Sequence, residues 1–90
     1  MRYDTEFDYT YLIKKIESKY KQNTILKNIN LFCKDLYYIT PFKVRLVILN
    51  NRGYFNNRDI YKMSKALELS DADIIKCFYK VKEVNDGYSN

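Results

Sequence analysis

Apolar side chains recur three and four residues apart in five short bursts separated by polar breaks, the spacing of helices that each bury one face. Leu12, Ile13, Ile16 and Tyr20 make the first burst, with Asp8 or Thr10 upstream as its cap. After the break Lys21-Gln22-Asn23-Thr24, residues Ile25, Leu26, Ile29, Phe32, Cys33 and Leu36 predict an amphipathic second helix over residues 25–37. Thr40-Pro41 then signals a third start: the hydroxyl accepts from an orphan amide, and proline at the first helical position gives up no useful donor. This helix runs to about Asn50. Its interior, Val44-Arg45-Leu46-Val47-Ile48-Leu49, is β-branched enough that a strand leading into an Asn-Asn-Arg-Gly turn competes with it.

Asn57 is a good cap for a fourth helix, with Asp59 in its first turn and Ile60, Met63 and Leu67 on one face. Ser70 with Asp73 makes a capping-box pattern in front of Ile74, Ile75 and Phe78, which opens a fifth. Residues 1–8 read as a flexible lead and residues 85–90 as a frayed tail. Ninety residues without a repeat or interior linker suit one compact all-α domain over residues 1–90, in which nearly every apolar residue is needed for the core. Tyr37 and Tyr38 are read as core on this ground, with packing beside a sugar-phosphate backbone as the alternative.

Composition narrows the function classes. Cys33 and Cys77 are the only cysteines and there is no histidine, so four-ligand Cys/His zinc sites and histidine acid–base catalysis are excluded. Beside Phe32 and Phe78, the two cysteines read as buried free thiols rather than a disulfide. The paired carboxylates Asp71 and Asp73 sit where a helix start welcomes negative charge, and no nucleophile or phosphate-loop motif accompanies them. A non-enzymatic protein without cofactor or metal is expected. No apolar run reaches the ~20 residues of a membrane span and no signal-peptide pattern is present, which points to the cytoplasm.

The net charge of +5 is unevenly distributed. Residues 1–20 carry four basic and four acidic side chains, residues 21–66 nine against two, and residues 67–90 three against five. A central segment nearly stripped of acids is what a phosphate-facing surface requires, although solvated helix faces also carry lysines for solubility alone.

The second and third predicted helices, joined by a tight turn over residues 36–41, have the order of a helix-turn-helix, with Ile39 plugging the turn into the core. Phe7-Asp8-Tyr9 leading into Leu12, Ile16 and Lys19-Tyr20 is similar to the opening of small phage-encoded repressor and Cro-type (XRE-like) helix-turn-helix proteins. The ordered run Leu49-Asn50-Asn51-Arg52, Phe55, Asp59-Ile60, Ala66-Leu67-Glu68-Leu69-Ser70-Asp71, Ile74-Ile75 and Phe78-Tyr79 resembles their back half. Two features depart from that pattern. Residues 21–27 add about two helical turns, and the third helix carries Leu46 and Val47 where family members usually carry polar residues, with a one-residue slip between its two ends.

The resemblance implies a compact five-helix repressor-like domain that binds operator DNA as a homodimer and regulates transcription in the host cytoplasm. Lys43 and Arg45 on the third helix are the candidate base or phosphate contacts; Asn50, Asn51 and Arg52 are candidate phosphate clamps or a helix C-cap and turn. Lys27, Asn28 and Asn30 would reach the flanking backbone, and Thr40 would add an amide or hydroxyl contact. Leu46, Val47 and Leu49 cannot all face one core, so Phe42, Leu46 and Leu49 are candidates for an exposed dimer or partner interface. A phage-encoded inhibitor of a host protein, such as an anti-CRISPR or an antirepressor on the same scaffold, is the alternative.

Overall fold

The computed structural model describes residues 6–82. Five helices follow one another: α1 (Thr10–Tyr20), α2 (Ile25–Lys34), α3 (Pro41–Asn50), α4 (Asn57–Leu67) and α5 (Asp71–Phe78). Among the described residues there is no strand beyond an isolated antiparallel bridge between Phe7 and Val81.

Local chemistry sets most boundaries. Asp8 accepts from the Thr10 amide at 2.9 Å one residue ahead of the formal cap, Tyr9, and these Thr10 hydrogen bonds hold its carboxyl below the usual range. Thr24 and Thr40 accept from the amides of Lys27 and Lys43, each at 3.2 Å. Ser70 and Asp73 form the expected reciprocal box. The cap of α4 is Asn56, not Asn57, because only Asn56 has Asp59 three residues on to return the hydrogen bond. α2 stops at Lys34, short of the expected Tyr37, which instead takes φ +72° and breaks the helix. Residues 44–49 are helical rather than extended: Val44, Val47 and Ile48 fall on one buried face, which strand alternation would split.

α1 lies at the centre and packs on α2, α4 and α5, while α3 leans on α2. Leu12 and Ile16 of α1, Ile29 and Phe32 of α2, Val44 and Val47 of α3, Met63 of α4 and Cys77 of α5 fill the interior with no exposure. Tyr9, Phe55 and Phe78 join the chain ends to it through edge-on rings 5.8 and 6.1 Å apart. The expected flexible lead does not extend to residues 6–8. They pair with residues 80–82 through Asp8 N–H to the Lys80 carbonyl and Lys82 N–H to the Glu6 carbonyl, each 2.8 Å. The rest of that lead, residues 1–5, and the expected frayed tail, residues 85–90, lie outside the described residues.

Both cysteines are buried and unpaired, and burial pushes each thiol up to about 11. Only the thiolate attacks, so at pH 8 roughly a thousandth of each is reactive. Labelling of the native chain with an aromatic disulfide reagent is therefore expected to be at least ~100-fold slower than in denaturant, with the native rate rising as pH climbs toward 10. Equal rates in both states would show that the thiols are open to solvent.

Candidate nucleic-acid interface

α3 presents three different edges because its ten residues are flanked on two sides. Lys43 points toward α4, its ammonium 3.6 Å from the Asp59 carboxylate, which is itself only 3% exposed. Arg45 lies on the opposite edge, toward α2, where its charge partly offsets the upward push of burial on Cys33. The remaining outward edge carries Phe42, Leu46 and Leu49 at i, i+4 and i+7: Phe42 is 65% exposed, Leu49 40%, and Leu46 half-buried. The helix thus shows solvent an apolar stripe between two cations.

The predicted contact residues separate into three groups. Lys27 and Asn30 on α2, Asn50 at the end of α3 and Arg52 just beyond it are exposed. Thr40 is exposed too, but its hydroxyl caps Lys43. Asn28 is a correction, and Asn51 takes the C-cap alternative. Asn28 is 1% exposed and holds the α1–α2 loop, accepting from the Gln22 amide at 2.8 Å and donating back to the Gln22 carbonyl, so it has no access to a backbone phosphate. Asn51 takes the left-handed conformation (φ 55°) that ends α3, its amide on the Val47 carbonyl, and its carboxamide spans the Phe7 carbonyl and Lys82 Nζ at 3.1 and 3.2 Å. It is the C-cap of α3.

Tyr37 is a further correction, because the expected core residue stands 93% exposed on the strained turn. Tyr38 is also exposed, and Arg58 of α4 lies 5.7 Å from its ring centre. Arg58 was absent from the predicted set; the signal for it was its membership of the acid-poor segment, one residue before the carboxylate that reaches α3. With Asn30, Cys33, Lys34, Ile39, Thr40 and Pro41, the two tyrosines wall a shallow open groove of about 570 Å³ beside the start of α3.

The electrostatics of this face follow from where its acids go. Residues 21–66 contain only Asp35 and Asp59 as acids. Asp35 accepts from the Tyr20 hydroxyl on the α1 side of α2, and Asp59 is occupied by the α4 cap and Lys43. Lys27, Lys34, Arg45, Arg52 and Arg58 form no ion pair among the described residues, so their charge projects into solvent. No group of three metal-binding side chains occurs among the described residues, and no described helix is long and apolar enough to cross a membrane. Neither protein-family models, nor curated proteins, nor solved structures yield a match to this chain, and the reading of the α2–α3 face rests on its own chemistry.

Proposed function

We propose that this chain is a sequence-specific DNA-binding regulator of the phage repressor or Cro type, a cytoplasmic binding protein rather than an enzyme. The observation that supports the reading is an acid-poor surface over α2 and α3 on which Lys27, Lys34, Arg45 and Arg52 form no ion pair among the described residues, while the nearby acids Asp35 and Asp59 are engaged elsewhere. The capped N-terminus of α3 carries the positive end of the helix dipole, which attracts phosphate. Arg45 is the side chain with the geometry for a two-point contact to guanine; Lys27, Asn30, Asn50, Arg52 and Arg58 would steer the backbone. Lys43, held by Asp59, serves first to brace α3 against α4. A homodimer would set two copies of α3 about 34 Å apart on a palindromic site.

Duplexes selected from a random pool by repeated binding, then measured by fluorescence anisotropy, test this. Neutralising about four phosphates gives an expected slope of log K against log salt near −3.6. Arg45→Ala with Arg52→Ala is expected to weaken the selected duplex by about 10- to 100-fold and flatten that slope. A double variant that binds like the parent would remove the proposed reading head. A second reading is favoured by one observation, the apolar stripe of Phe42, Leu46 and Leu49: the scaffold acts on a protein partner through α3.

A further inference from the structure

We infer that the outward edge of α3 is a docking groove for one acidic amphipathic helix of a protein partner, and that this helix competes with DNA for the α2–α3 face. The inference rests on the second reading above and names the chemistry of its partner. Phe42, Leu46 and Leu49 line up over two turns of α3, about 10 Å, the length over which a partner helix makes its i, i+4, i+7 contacts. Across Arg45, the edge of α2 carries Leu26 and Asn30 one helical turn apart, both exposed. The open groove under Tyr37 and Tyr38 extends it beyond the start of α3.

Charge decides among occupants. The stripe is bordered on one side by Arg45, which forms no ion pair among the described residues, and on the other by Lys43, whose partly exposed ammonium lies 3.6 Å from Asp59, while Lys34 lines the groove beyond the start of α3. A second copy docked by the same edge would set these cations against their own kind, with no described carboxylate of the face free to separate them. DNA answers the charge but leaves three apolar side chains without matching surface beyond thymine methyl groups. A helix with leucine-like residues on one edge and Asp or Glu on both flanks answers both features at once. By presenting carboxylates where phosphates would lie, it excludes the duplex.

The full chain is titrated against a fluorescein-labelled four-turn peptide with leucines at i, i+3, i+4 and i+7 and glutamates on both flanks. Two control peptides replace the leucines by glutamine or the glutamates by lysine. The expected result is saturable binding of the first peptide, at least tenfold weaker binding of either control, and at least tenfold loss in Phe42→Asp, Leu49→Asp and Arg45→Glu, all exposed or edge positions whose folding circular dichroism verifies. Equal binding of the glutamine peptide, or unchanged affinity in Phe42→Asp, overturns the dock. A parent dimer in light scattering that Phe42→Asp disperses also overturns it, because the occupant is then a second copy. So does a selected duplex that needs Phe42 while the acidic peptide fails to bind. If the peptide binds and no duplex does, the dock stands and the DNA reading falls; if both bind, the peptide is expected to displace the duplex.

Discussion

Phe32→Ala is expected to lower the unfolding free energy by about 4 kcal/mol, because it truncates the largest fully buried side chain among the described residues. Phe32 sits in the middle of α2 with no exposure, its ring 5.9 Å from that of Tyr20, in the cluster that also holds Leu12, Ile16 and Ile29. Truncation removes the ring's transfer free energy and leaves a cavity that helices anchored at both ends close only in part. A domain of this size has roughly 5–13 kcal/mol in total, so the variant would unfold well below the parent's midpoint. Urea unfolding followed by circular dichroism checks the value, with the midpoint moving and the slope unchanged. Phe42→Ala supplies the contrast: the same chemical change on the exposed stripe is expected to stay within about 0.5 kcal/mol of the parent. If Phe32→Ala costs under about 1 kcal/mol, the packing of α2 on α1 is not what supports the α3 platform.

That contrast also marks what could be read from the chain before its structure. Helix starts were legible because caps act over three residues: Thr40-Pro41 and Ser70-Asp73 name their own positions. Two adjacent asparagines defeat the same rule, since Asn56 and Asn57 are equal as caps and only the return bond from Asp59 selects the first. The end of α2 was not legible. No glycine marks it, and Tyr37 enters the left-handed region because Leu36 and Ile39 on either side are drawn into the core.

For the candidate site, charge was legible and its use was not. The acid-poor segment maps onto α2, α3 and α4, but a formal charge does not say which cations are engaged. Lys43 is taken by a carboxylate sixteen positions away, and Arg58, unremarked in the sequence, lies against Tyr38. Asn28 shows the opposite error: it falls on the same side of α2 as Phe32, so its helical position already argued for burial, with its amide serving the loop. The apolar character of α3 was visible as an excess of large residues, and the structure resolves that excess into an inward face and an outward stripe.

Asp59 connects the two levels, and Asp59→Ala is expected to move stability and DNA binding in opposite directions. Its carboxylate accepts from the Asn56 amide at 3.1 Å inside the α4 capping box and lies 3.6 Å from Lys43 Nζ, almost wholly out of water. Alanine removes the acceptor and leaves the Asn56 amide without its partner, a loss of about 2–3 kcal/mol. Lys43 contributes little to that figure because its side chain is partly exposed and regains water. Asp59→Asn keeps an acceptor of similar shape and is expected to cost only about 1 kcal/mol. Both variants release Lys43 and remove a negative charge from the α3 edge, so at temperatures where they remain folded the selected duplex should bind about 3- to 10-fold tighter, with a steeper salt slope. Thermal unfolding and anisotropy on the same preparations separate the effects. If affinity falls in Asp59→Asn while the helix content is intact, the Lys43–Asp59 pair orients α3 for the duplex, and the brace itself belongs to the reading surface.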